Sequence, residues 1–340
     1  MADGRPGVLL LNTGSPRSPA VEHVRLYIRE FLMDPRVMDM PWLLRVLLVK
    51  FAIVPIRARL SAEAYARIWT PEGSPLVVYS RRLQQRLETH LGVPVGLAMR
   101  YGSPTVECAL NRLLGHGISK VVLVPLFPHY AMSSYETTVS YAQQVIATRT
   151  ARLETTVLPP FYDNPAYIGA LVSNAMQELK GGFDHVLFSF HGLPERHIRK
   201  TDPTGRICLR QPNCCELDSP ATKTCYRAQC LRTMRAFAAA AGLHNGSYSF
   251  AFQSRLGPGR WLRPHTFETL TQLGQAKCKR LLVLCPSFLV DCLETLDEIG
   301  LRGRQLFQQA GGGEFVLIPS LNDHPAWVDA LAGLISSHLP

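Results

Sequence analysis

Nowhere in the 340 residues do about 18 apolar positions run uninterrupted, which excludes a conventional membrane-spanning helix. Residues 1–7 lack the basic-then-apolar design of an export signal, so a cytoplasmic protein is expected. Nucleotide and hydrolase signatures are also missing. There is no Walker loop, no Gly-x-Gly-x-x-Gly after the first apolar run, no His-Glu-x-x-His and no Gly-x-Ser-x-Gly. The 36 basic and 26 acidic residues leave a formal charge of +10, which favours an anionic partner. Without an RNA-binding signature, zinc finger or basic tail, that partner is not expected to be nucleic acid. A phospholipid surface or a carboxylated small molecule fits better. Oligomeric state is not legible.

What is present is enough chain for two ordinary cores, at 46% apolar content. Short apolar runs at residues 8–11, 120–126, 185–190 and 279–284 end in turn residues and read as buried strands. Between them, residues 78–91 and 166–179 place apolar side chains at three- and four-residue spacing, as amphipathic helices do. This alternation predicts an α/β fold with parallel sheets flanked by helices.

The two halves echo one another. Val8-Leu9-Leu10-Leu11-Asn12-Thr13-Gly14-Ser15-Pro16 aligns with Val186-Leu187-Phe188-Ser189-Phe190-His191-Gly192-Leu193-Pro194. Met99-Arg100-Tyr101-Gly102-Ser103-Pro104 is loosely repeated as Ser254-Arg255-Leu256-Gly257-Pro258, and residues 120–127 as 280–287. The shared order predicts two similar α/β domains, 1–155 and 156–340, with the final helix free to pack on the first half. Ligands of open parallel sheets bind beyond the carboxyl ends of the strands, so the site is expected in a cleft between the halves.

Three segments carry chemistry. His191 stands at a strand end beside Gly192, where a histidine neutral near pH 7 can accept a proton or bind a metal, or be merely structural. If residues 291–298 are helical, Asp291, Glu294 and Glu298 share a face, with Asp297 turned further round. That is either a relay for protons or a cation, or a solvated acidic face. Five of the nine cysteines, Cys208, Cys214, Cys215, Cys225 and Cys230, crowd into a turn-rich segment at 200–230. Reduced thiols are the rule in a cytoplasmic protein, and no Cys-x-x-Cys zinc pair is present. The irregular spacing suits an iron-sulfur cluster held by four of the five, with Cys214 or Cys215 the spare.

Residues 40–55, from Met40-Pro41-Trp42 to Ile53-Val54-Pro55, form a greasy stretch followed by Arg57 and Arg59. It reads as a segment that docks on anionic headgroups or as a buried core helix.

Seven phrases taken together resemble the ferrochelatase family from about Val8 onward: Leu11-Asn12-Thr13-Gly14-Ser15-Pro16, Gly73-Ser74-Pro75-Leu76, Met99-Arg100-Tyr101-Gly102, Pro125-Leu126-Phe127-Pro128-His129-Tyr130, Phe188-Ser189-Phe190-His191-Gly192-Leu193-Pro194, Phe252-Gln253-Ser254-Arg255-Leu256-Gly257-Pro258 and Asp291-Cys292-Leu293-Glu294-Thr295-Leu296. The resemblance implies two Rossmann-like, chelatase-type domains around a porphyrin cleft. It implies insertion of Fe(II) into protoporphyrin IX to form protohaem, with release of two protons, as the last step of haem biosynthesis. His191 matches the family's essential histidine, a pyrrole-proton acceptor and metal contact. Glu294 matches the carboxylate opposite, and Asp291 and Glu298 extend the path. Thr13, Arg100, Tyr101, Tyr130 and Trp261 correspond to pocket residues, with Trp261 on the macrocycle and Arg100 at a propionate. Thr13, where coproporphyrin users tend to carry tyrosine, favours protoporphyrin IX.

The greasy stretch corresponds to the family's lip, implying peripheral attachment through 40–59 on the inner face of the membrane. Some members of the family hold a [2Fe-2S] cluster, and here its expected place is the internal cysteine segment. The competing expectations are a chelatase for sirohydrochlorin and a non-catalytic haem-binding protein.

Overall fold

A computed structural model of the chain describes residues 5–149, 153–255, 257 and 259–339. Leu256 and Pro258, named in the phrases above, lie outside the described residues.

Two four-stranded sheets form the framework. One holds β1 (Arg5–Ser15), β2 (Val95–Gly102), β3 (Ile118–Pro125) and β4 (Glu154–Val157) in the order β2-β1-β3-β4. The other holds β5 (His185–His191), β6 (Tyr248–Gln253), β7 (Arg280–Leu284) and β8 (Glu314–Leu317) in the order β6-β5-β7-β8. Every strand pairing is parallel. The four expected strands are β1, β3, β5 and β7, the inner members of each sheet. Helices cover both faces of such strands, which is why Val8 to Leu11 and Leu281 to Val283 are wholly apolar and fully buried.

The sequence echoes fall at equivalent places. The first pair lies on β1 and β5, the second at the ends of β2 and β6, and the third on β3 and β7. One physical cause recurs in the strongest pair. A Cβ on Gly14 would collide with the carbonyl oxygen of Tyr101 on β2, and a Cβ on Gly192 with that of Gln253 on β6. In both sheets the carboxyl end of the central strand passes too close to its neighbour for any residue but glycine.

The chain divides into two compact units. One comprises the chain up to Phe127, Met132–Pro159 and the stretch from Leu331; the other comprises Pro128–Ala131 and Pro160–Ala330. In the first, helix Val106–Gly115 presents Val106, Ala109, Leu110 and Leu113 to Leu9, Leu11, Ala98 and Leu123, and Thr105 caps it by accepting from the Cys108 amide. That is the three-and-four spacing of an amphipathic helix seated on a sheet. In the second, Leu270, Ile299 and Phe307 cover Leu187, Ala251, Leu281 and Val283. Each fully buried Leu or Phe contributes about 1.5–3 kcal/mol.

The lip is helical from Trp42 to Ile68 and belongs to the first unit. It is not a buried core helix. Val49, Val54 and Ala58 face inward, while Trp42, Leu43, Phe51, Ile56 and Leu60 are 62–68% exposed beside exposed Lys50, Arg57 and Arg59. Arg45 is buried and donates to the carbonyls of Met38 and Met40. Among the described residues no helix is long and apolar enough to cross a membrane.

Candidate active site

In the second unit, β5 ends at His191, whose register partner on β6 is Gln253. The imidazole is half-buried, edge-on to Phe288 with ring centroids 5.9 Å apart. Its backbone is pinned from two sides: the Gly192 amide donates to the Gln253 carbonyl at 2.7 Å, and the His191 amide reaches Ser287 Oγ at 3.4 Å. Gln253, buried, accepts from Ser189 Oγ at 2.7 Å and donates to the Glu294 carbonyl at 2.9 Å, tying β6 to the start of the acidic helix. Trp261 is held alongside by its bridge to Pro194.

The acidic helix, Glu294–Gly303, is a π-helix, a wide i→i+5 winding that recurs at functional sites. Glu298, four residues beyond Glu294 on the same helix, senses the charges of Glu294 and of His191. Glu298 accepts from the Ser254 amide at 2.7 Å and from Ser254 Oγ at 2.6 Å. Ser254 meets it from a left-handed backbone (φ 65°), a conformation costly for a residue with a side chain and concentrated at functional sites. Burial is the main influence on Glu298 and raises its proton affinity above the usual carboxylate range. Glu294 adds to the rise, while Ser254 and His191 oppose it.

Asp291 does not share that face. It precedes the helix, where its buried carboxylate accepts from Thr295 Oγ1 at 2.9 Å, the Ser320 amide at 3.2 Å and Asn322 Nδ2 at 2.8 Å. The expectation of one acidic line assumed helix from residue 291; the turn ahead of Leu293 breaks it. Asp297 faces inward and pairs with Arg302 at 2.9 Å.

In the first unit, Arg100 and Tyr101 both find partners within the chain. Tyr101 is 1% exposed and donates to Asp34 Oδ2 at 2.9 Å. Arg100 binds the same oxygen at 2.6 Å, with its guanidinium 4.5 Å and 4.3 Å from the ring centroids of Tyr101 and Tyr141. Thr137 Oγ1 adds a third donor at 2.6 Å. Burial alone would raise the proton affinity of Asp34, but these donors and the Arg36 amide bring it below the usual range. Thr13 remains half-exposed at the end of β1, its amide donating to Asn12 Oδ1. Tyr130, in the second unit, is half-buried with its amide bound to Gln229 Oε1 at 2.7 Å.

Cys208, Cys214, Cys215, Cys225 and Cys230 are all buried and all unpaired. Asp202 shapes their loop by accepting from the amides of Thr204, Ile207 and Cys208 and from Thr204 Oγ1. Thiol hydrogen bonds join Cys208 to Cys225, Cys225 to Cys215, and Cys215 to Cys214, and Cys230 senses Cys225 and Cys215. The Arg227 guanidinium lies 3.1 Å from Cys215 Sγ. As the side chains stand, no group of three or more His, Cys, Asp or Glu among the described residues is arranged to hold a metal ion.

Gln253 and Ser254 were not singled out as site residues in the sequence, although both lie in one of its recurrent phrases. Their partners, at positions 189, 294 and 298, become neighbours only when β6 pairs with β5.

Comparison with known proteins bears on the fold and on the family. The fold matches SirB from Bacillus subtilis with Fe3+, at a TM-score of 0.56 and 11% identity over 98% of this chain and 95% of that one. It also matches the sirohydrochlorin chelatase SirB from Bacillus subtilis subspecies spizizenii in complex with cobalt, at a TM-score of 0.52 and 10% identity over 98% and 94%. These likenesses establish the two-sheet fold alone. In sequence, the chain is 52% identical to the ferrochelatase of Stutzerimonas stutzeri (strain A1501) over 97% of each chain. It is 53% identical to that of Azotobacter vinelandii (strain DJ / ATCC BAA-1303) over 96% of this chain and 97% of that one. The family model described as Ferrochelatase matches residues 5–339, and the chain belongs to the ferrochelatase family.

Proposed function

We propose that His191, Glu294 and Glu298 handle the protons and the iron in the ferrochelatase reaction, the insertion of Fe(II) into protoporphyrin IX. The macrocycle must lose two pyrrole protons as the metal enters, and must be held so that its nitrogen lone pairs meet the ion. The imidazole at the end of β5 accepts a pyrrole proton. Fe(II) as substrate suits imidazole and carboxylate donors, which places His191 and Glu294 as its contacts. Glu298, with its raised proton affinity, takes up and releases protons nearer neutrality than an ordinary carboxylate. Asp291 holds the start of the helix rather than joining the relay. The observation that carries this reading is that Glu298 lies within electrostatic reach of both Glu294, on its own helix, and His191, at the carboxyl end of β5. Trp261 supplies a surface for the ring, and Tyr130 is a further substrate contact. Thr13, at a position where coproporphyrin users of the family tend to carry tyrosine, favours protoporphyrin IX over coproporphyrin III.

Anaerobic incubation of the purified protein with Fe(II) and protoporphyrin IX, followed as loss of porphyrin fluorescence and appearance of haem, tests the assignment. Tight porphyrin binding without haem formation from either porphyrin would contradict it and favour a haem-binding role.

The cysteine segment is assigned a [2Fe-2S] cluster on the strength of its donor set: five buried thiols, four of them joined by hydrogen bonds and Cys230 within electrostatic reach of two, with the Arg227 guanidinium on Cys215 favouring its thiolate. Cys208, Cys215, Cys225 and Cys230 are the ligands in this reading, because Cys214 meets the group only through Cys215. Such a cluster would add electron-accepting capacity and tie the loop together. The exposed lip with Lys50, Arg57 and Arg59 is assigned to the surface of an anionic membrane, approached from the cytoplasmic side.

A further inference from the structure

Tyr226 opens helix Tyr226–Ala240 directly after Cys225 and is buried, with its ring edge-on to His129 at 5.7 Å between centroids. Its hydroxyl has three partners. Ser287 Oγ lies 2.7 Å away, the backbone N–H of His191 donates a hydrogen bond to the hydroxyl oxygen, and the hydroxyl itself donates to Cys230 Sγ. Ser287 sits in the loop beyond β7, and His191 terminates β5. One hydroxyl therefore gathers the ends of two adjacent strands and the cysteine segment.

Without it, the His191 amide would keep only its 3.4 Å contact with Ser287 Oγ, near the limit of a hydrogen bond. The imidazole direction follows from the backbone that carries it. A displacement of about 1 Å in a reacting group can cost on the order of a hundredfold in rate.

We propose that Tyr226 is a positioning residue for His191, its hydroxyl fixing the His191 backbone through a hydrogen bond shared with Ser287 and anchored on Cys230. This rests on the reading of His191 as proton acceptor. Tyr226→Phe keeps the ring and the buried volume and removes only the hydroxyl. The expected result is a fall in kcat for haem formation on the order of tenfold, with the porphyrin KM little changed. The imidazole 15N resonances of His191, identified by their loss in His191→Ala, should shift. Ser287→Ala should act in the same direction, and the double variant should be no worse than Tyr226→Phe, since both act through one contact.

Unchanged kcat and unmoved His191 resonances in Tyr226→Phe would overturn the proposal. So would a proportional rise in KM with those resonances unmoved. If Tyr226→Phe does not fold, Ser287→Ala alone decides by the same two readouts. If the wild type shows no turnover, the chelatase assignment fails, while the His191 resonances still decide the positioning claim.

Discussion

Ser254 holds both carboxylate oxygens of Glu298, one through its amide at 2.7 Å and the other through its hydroxyl at 2.6 Å. The grip comes from a left-handed serine on the turn after β6 and fixes an acid that burial has made slow to ionise. Its consequences are measurable through pH.

Because the proton affinity of folded Glu298 exceeds its unfolded value, the folded state binds more protons between the two, and stability falls as pH rises through that window. Glu298→Gln removes this slope. The Tm difference, variant minus wild type, should therefore become more favourable to the variant from pH 4 to pH 8. A difference independent of pH would contradict the raised affinity.

Asp34 behaves in the opposite sense. Its folded proton affinity is depressed, so its contribution is present at neutral pH and is lost as pH falls through the folded value. Asp34→Asn leaves the Arg100 guanidinium and the Tyr101 hydroxyl short of a buried acceptor, and should cost about 3 kcal/mol in chemical denaturation at pH 7.

Gly192→Ala places a methyl group against the Gln253 carbonyl, where relief requires moving one strand end. A loss of roughly 1–3 kcal/mol is expected, with haem formation reduced because His191 is the adjacent residue. Stability equal to wild type would mean that the turn has room the structure does not contain.

For the cysteine segment, anaerobically purified protein should show visible absorption bands with iron and acid-labile sulfide, and Cys230→Ser should lose them while Cys214→Ser keeps them. A colourless protein free of iron and sulfide would remove the cluster. For the lip, the wild type should sediment with anionic vesicles at low salt, and the Trp42→Ala, Phe51→Ala pair should weaken that binding without altering Tm, since both side chains are exposed.

The inner strands were legible because a strand covered on both faces must be apolar throughout, as Val8 to Leu11 are. Four-residue edge strands such as Glu154–Val157, with mostly exposed side chains, carry no such signal. His191 was legible from its place after an apolar run. Arg100 and Tyr101 were assigned to substrate because their partner, Asp34, lies 66 and 67 residues away and nothing local announces it. Asp291 failed for the converse reason: helical periodicity was extended across a turn whose three hydrogen bonds come largely from the segment near Ser320.

The central claim is that His191 takes a pyrrole proton as iron enters. Anaerobic haem formation from Fe(II) and protoporphyrin IX should be measured for wild type and His191→Ala, together with porphyrin binding by fluorescence. The account predicts that the variant binds the porphyrin with near wild-type affinity and forms no detectable haem. Haem formation by His191→Ala at the wild-type rate would contradict it.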